Sequence, residues 1–161
     1  MKLIEADFNC PLRVAKGALL TVKKESGEIN TMTVSWGGAG ILWGREVCFI
    51  FVRPERYTFG FCEESDIFSL SFFEDDKKEL LTFCGTKSGR EVDKISHMGL
   101  KYSIREGACI FDDASVSVIC SKLYAQSLEK DCFTKDIADS FYSNGGYHKM
   151  YICEIKDIIV K

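Results

Sequence analysis

The 161-residue chain contains 2 prolines and 2 histidines. Pro11 and Pro54 each stand at the edge of a patterned run, so neither breaks an element from inside. With only His97 and His148 available, and no C-x-x-C pair among 8 cysteines, the chain lacks the ligand spacing of a zinc finger or ribbon, and no metal site is expected. A basic excess is also missing. Lys and Arg number 21 against 24 Asp and Glu, a net charge of -3, which argues against a nucleic-acid binder. An anionic ligand would have to be held by a few local donors, not by a global field. No apolar run approaches the roughly 20 residues that cross a bilayer, so no membrane association is expected. The opening MKLIEADFNCPLRV carries Glu5 and Asp7 where a signal peptide needs an apolar stretch. Internal repeats, low-complexity tracts and Pro/Gly/Ser linkers are absent, and residues 1–161 read as one domain.

The cysteines are scattered, at Cys10, Cys48, Cys62, Cys84, Cys109, Cys120, Cys132 and Cys153, several inside apolar runs such as EVCFIFV and SVSVIC. That placement suits small buried hydrophobes in the reduced state, and so a cytoplasmic location.

Strand patterns dominate. GALLTVKK and INTMTVSW flank the polar turn ESGE and read as a hairpin. The four glycines of GGAGILWG break the pattern. EVCFIFVR is a continuous apolar run, expected to be covered on both faces. IFSLSFF alternates, with Ser69 and Ser71 on one side and Phe68, Leu70 and Phe72 on the other. ASVSVICSKLYAQSL and HKMYICEIKDIIVK are two more long strands. Three short helices are expected: PERYTFGFCEES, opened by Pro54; EDDKKELLTFCG, stopped at Gly85; and GREVDKISHMG, ending at Gly99 with Val92, Ile95 and Met98 on one face. Many strands with a few inserted helices predict a closed or nearly closed β-barrel with helical attachments.

Three segments have the composition of a binding site. CGTKSGREVDK, Cys84–Lys94, places Ser88 and Glu91 at S-x-x-E spacing. That is a capping box, and equally a helix N-terminus able to receive a phosphate, with Gly89 allowing close approach and Lys87, Arg90 and Lys94 adding charge. VRPERYT sets Arg53 and Arg56 around Pro54, followed by the hydroxyls of Tyr57 and Thr58; it is either a phosphate clamp or an ordinary strand end. In NTMTVSWGGAG, strand alternation puts Thr31, Thr33 and Ser35 on one face and Asn30, Met32, Val34 and Trp36 on the other. A half-exposed strand or the wall of a polar aromatic site would both show this pattern. His148 stands at the start of the last strand, where a structural role is the simpler reading. Cys84 has no visible partner base, and no nucleophile–base or paired-carboxylate arrangement stands out.

In this order, NTMTVSWGGAGILWG, VRPERYT, SFF, CGTKSGREVDK and YHKMYICEI resemble the flavin reductase-like, FMN-binding split-barrel family, most of all its flavoredoxin-type branch, from about Pro11 to Ile158. The resemblance implies a mainly β fold, an antiparallel split β-barrel with Greek-key-like connections, in a homodimer with one FMN per subunit. It implies that Asn30, Thr31, Met32, Thr33, Ser35 and Trp36 lie along the flavin ring. Arg53, Tyr57 and Thr58 would meet the phosphate and ribityl chain on one side, and Cys84, Gly85, Ser88, Gly89, Arg90 and Lys94 on the other. His148 would assist the chemistry or shape access to the flavin. The implied activity is transfer of hydride or electrons from NADH or NADPH to flavin N5 and on to a small-molecule or protein acceptor. A flavoredoxin-like electron carrier working between proteins, without nicotinamide turnover, is the alternative.

Overall fold

The computed structural model describes residues 14–161; Cys10 and Pro11 lie outside that range. Seven strands form one antiparallel sheet in the order β2-β1-β5-β8-β9-β4-β3. They are β1 Ala18–Lys23, β2 Ile29–Val34, β3 Gly37–Leu42, β4 Arg45–Val52, β5 Ile67–Phe72, β8 Val116–Ser127 and β9 Lys149–Val160. The first hairpin forms as its alternation requires, with Lys23 opposite Ile29 and Ala18 opposite Val34. Its turn is closed by Gly27 at φ 93.

The sheet curls around one core. Met32 and Val34 from β2, at one end of the strand order, share it with Cys48, Ile50 and Val52 from β4, next to the other end. Phe61 and Cys62, from helix α1 (Tyr57–Glu64), plug the same core. Yet β2 hydrogen-bonds only to β1, so the barrel is split along the line where β2 faces β4. The outer face of β1 and β5 is covered by helix α2 (Lys78–Thr86), helix α3 (Lys94–His97) and the hairpin β6 (Tyr102–Arg105) with β7 (Ala108–Phe111). This second core gathers Leu19, Leu80, Cys84, Ile95 and Phe111. It explains the serine face of β5: Ser69 Oγ donates to the Cys109 carbonyl at 2.6 Å beneath the hairpin. Helix α4 (Lys135–Phe141) lies in the long connection from β8 to β9. No helix among the described residues is long and apolar enough to cross a membrane.

The cysteines behave as buried hydrophobes. Cys48, Cys62, Cys84, Cys109, Cys120 and Cys153 are free and buried, while Cys132 is exposed. Burial pushes the Cys62 thiol up to about 12. No metal-ligand cluster occurs among the described residues.

Four local expectations give way. The glycine-rich run is a strand, because an edge strand on β4 needs room for Phe49. A Cβ at Gly37 would stand 2.3 Å from the Phe49 carbonyl oxygen, and one at Gly38 2.9 Å from the Phe49 ring. The β6–β7 hairpin goes unforeseen because its strands are four residues long; its signal is the two-residue turn Glu106–Gly107, at φ 50 and 82. Helix α2 continues through Gly85 to Thr86. The third helix is only one turn long and begins after Asp93, whose carboxylate accepts the Ile95 and Ser96 N–H groups. The Ser88–Glu91 capping box therefore does not form, and Ser88 Oγ instead accepts the Arg90 N–H at 3.2 Å in a turn.

Replacing Gly37 with alanine should lower unfolding stability by about 2–3 kcal/mol, because the added methyl overpacks the β3–β4 ladder. Urea denaturation measures this, and β4 core substitutions of equal volume provide the comparison.

Candidate functional site

Two hollows lie along the split. The first, about 200 Å³, is lined by Glu55–Thr58 from the start of α1 and by Thr86–Arg90 and Lys94 from the α2–α3 connection. The second, about 270 Å³, is lined by Met32–Trp36 leaving β2, by Phe51 and Arg53 at the end of β4, and by His148 before β9. Arg56 belongs to both.

The first hollow is built from donors. Arg56 is the N-cap residue of α1 and supplies no side-chain cap; the Phe59 N–H is taken by the Arg56 carbonyl at 2.9 Å, which leaves the Tyr57 and Thr58 N–H groups at the open end of the helix. The N-terminus of α3, by contrast, is already taken by Asp93. The anion-receptive helix end is thus that of α1, not the one expected after Ser88. The surrounding cations meet neutral oxygens only: Arg56 Nη2 donates to Gly85 O at 2.7 Å, Arg90 Nη1 to Glu55 O at 3.2 Å, and Lys94 Nζ to Cys84 O at 3.0 Å. Among the described residues none of these three, nor Lys87, makes a salt bridge. Lys94 is 3% exposed. Burial, reinforced by the charge of Arg56, pushes its ammonium down to about 8.

Close packing keeps this hollow open. Asn30 is buried and donates to Thr58 Oγ1 at 2.8 Å, tying β2 to α1. Gly89 passes directly over that pair. A Cβ there would stand 2.3 Å from Asn30 Oδ1 and 2.6 Å from the Tyr57 ring. Tyr57 in turn donates to Glu28 at 3.1 Å and lies under the Arg90 guanidinium.

The second hollow is aromatic on one side. The Trp36 ring lies 4.6 Å from His148 and 5.4 Å, edge-on, from Phe141. Arg53 Nη2 donates to the Phe141 carbonyl at 3.1 Å, so the guanidinium holds the end of α4 against the site. Burial and the Arg53 charge push the His148 imidazole down to about 4, and the ring is neutral at ordinary pH.

The residues expected from sequence divide as follows. Tyr57, Thr58, Ser88, Gly89, Arg90 and Lys94 meet in the first hollow. Met32, Thr33, Ser35, Trp36, Arg53 and His148 meet in the second. Arg53, expected beside Tyr57 and Thr58, lines the other hollow, and Arg56 stands with those two residues. Asn30 supports the first hollow from behind. Thr31 lines neither: its hydroxyl donates to Leu20 O at 3.1 Å and pairs with Thr21 inside the sheet. The Cys84 side chain is buried in the second core, its thiol pushed up by burial, and only its carbonyl reaches Lys94. Gly85 offers its carbonyl to Arg56. Sequence reasoning places Arg56 and Lys87 within the donor segments but outside the implied cofactor set, and it does not foresee Glu55, Thr86, Val34 and Phe51 as lining residues. The signal for Arg56 was present in VRPERYT, but only the turn after β4 decides which arginine faces which hollow.

Comparison with solved structures gives the same architecture. The FMN-binding protein from Thermus thermophilus, solved with p-hydroxybenzaldehyde bound, superposes with a TM-score of 0.71 at 20% identity, over 90% of this chain and 71% of that one. Flavoredoxin from Methanosarcina acetivorans gives 0.70 at 19%, over 90% and 68%. An NADH:FAD oxidoreductase from Streptomyces globisporus C-1027 gives 0.67 at 15%, over 90% and 74%. No curated protein matches the chain by sequence. The split antiparallel barrel is the common fold, and residues 14–161 match the family model of the flavin reductase like domain, so the chain belongs to that family.

Proposed function

We propose that the chain is an FMN-binding oxidoreductase that takes reducing equivalents from NADH or NADPH and passes them to an acceptor. The observation that carries the reading is the set of cations around the first hollow, which lack carboxylate partners and surround an uncapped helix N-terminus. Such a set suits a phosphate dianion. The aromatic hollow that shares Arg56 suits a planar ring. Arg56, Arg90, Lys94 and the α1 N–H groups would hold the FMN phosphate, and the Met32–Trp36 backbone with His148 would flank the ring. Bound FMN would supply the hydride and electron chemistry. The chain's own work is to bind, orient and shield, and none of its side chains need act as a nucleophile. The similar structures include an FMN-binding protein and an NADH:FAD oxidoreductase, which supports this reading.

An FMN electron carrier between proteins is the second reading. The cation-rich cradle favours it, because it favours a flavin that stays bound. Rapid bleaching of the bound flavin by NADH or NADPH would support the first reading, and no bleaching the second. We also propose a homodimer. Ile41 and Trp43, at the β3–β4 turn on the sheet edge, are 70% and 59% exposed, an apolar edge suited to a second copy. Light scattering should report the mass of two chains.

The freshly purified protein should show the two flavin absorbance bands in the near-ultraviolet and blue, and heat should release FMN at about one per chain. A colourless protein that takes up no added FMN would overturn the assignment. Arg56→Ala should weaken FMN binding by about 10- to 100-fold, the loss of one charged hydrogen bond. Affinity should be greatest between about pH 6, below which the phosphate is no longer a dianion, and about pH 8, and should fall as the pH rises beyond that, because an anion favours protonated Lys94 while the free site releases that proton near 8. Lys94→Met should remove this alkaline fall. It should also raise the Tm of the flavin-free protein at neutral pH, where a buried ammonium costs stability that is recovered only as pH climbs from about 8 toward 10.5.

A further inference from the structure

Tyr142 lies one residue beyond helix α4 and is buried. Its ring stacks on Phe133 at 4.8 Å and carries the Arg53 guanidinium 5.5 Å above it. Its hydroxyl meets His148 Nδ1 at 2.8 Å. The phenol oxygen has no other hydrogen-bond partner among the described residues. A buried phenol needs an acceptor for its proton. Nδ1 is the one acceptor that meets this hydroxyl among the described residues, so it must carry no proton. The imidazole proton is left on Nε2. This nitrogen has no partner among the described residues, and it is not among the buried polar atoms that lack one, so it stays accessible on a ring that lines the second hollow.

We propose that Tyr142 is a positioning residue that locks His148 in the neutral Nε2–H tautomer, making it a fixed hydrogen-bond donor toward a carbonyl oxygen, an anionic oxygen or a ring nitrogen of the ligand in the second hollow. The groups facing the imidazole reinforce this. From the turn after β4 come the Arg53 and Arg56 cations, with Glu55 as the single acid; from the end of α4 comes Tyr142; from the β2–β3 crossing comes the uncharged Trp36. Arg53 disfavours an imidazolium, and Glu55 offsets it only in part. His148 then orients its ligand and does not shuttle protons. The ligand class rests on the flavin reading; the tautomer does not.

The chain contains 2 histidines, so ¹⁵N-histidine labelling of the whole protein gives a spectrum of two rings. His148→Gln assigns them, and exposed His97, stacked on Phe83 at 4.5 Å, serves as the internal reference. Long-range ¹H–¹⁵N correlation between pH 8.5 and 4.5, each about two units from the ordinary histidine value, should show His148 as Nε2–H without titration down to about pH 5. In Tyr142→Phe, with unchanged near- and far-ultraviolet circular dichroism as evidence of folding, His148 should become a tautomer mixture while its midpoint stays well below 6.5, held there by burial and Arg53. A wild-type ring protonated on Nδ1, or titrating near 6.5, overturns the proposal whether or not the variant folds. So does a folded Tyr142→Phe protein with an unchanged tautomer. Both readings are obtained without flavin, so a colourless protein would defeat the FMN assignment and leave this result standing.

Discussion

The two ends of the seven-stranded sheet share a hydrophobic core but no hydrogen-bond ladder. Met32 and Val34 of β2 pack against the same core as Ile50 and Val52 of β4, while their backbones do not pair. A barrel held this way is closed by burial and open along a seam. Burial is non-directional, so it can close the core without consuming the polar groups at the rim. The chain leaving β2, the end of β4 and the segment before β9 therefore bring their side chains to one line. Both hollows follow from that arrangement.

Charge is distributed along the seam in a way a purely structural barrel would avoid. Several cations elsewhere have carboxylate partners, as with Lys24 and Glu64 at 2.9 Å or Lys149 and Glu63 at 2.6 Å. Around the first hollow the cations meet carbonyl oxygens only, and one of them, Lys94, is buried. A buried ammonium with one neutral acceptor is destabilising by itself. An anion would offset that cost. The second hollow uses the opposite device: burial and Arg53 hold His148 neutral, so the ring region carries a donor without a mobile charge. One end of the seam is suited to a dianion and the other to a neutral or weakly acidic ring.

Reading the sequence recovers elements whose pattern is local. The first hairpin, β5, β8 and β9 each carry their own period, and Gly27 marks its turn. What it misses depends on a partner strand or a distant contact. The glycine run forms β3 because Phe49 lies flat on it. Ser88–Glu91 has the spacing of a capping box, but Asp93 competes for the same role nearer the apolar residues and wins. Thr31 and Thr33 have equal claims to a ligand in one dimension; in three, Thr31 is turned into the sheet and only Thr33 reaches the seam.

The residue types of the site, their segments and the mainly β architecture were determined by the sequence alone, because alternation, turn residues and clusters of donors are properties of neighbours along the chain. The tertiary structure alone decided that Arg56 and not Arg53 stands at the cationic hollow, that the free helix end belongs to α1, and that Tyr142 meets His148. Each of these depends on which way the chain turns after a strand, and that direction is set by packing between residues far apart in sequence.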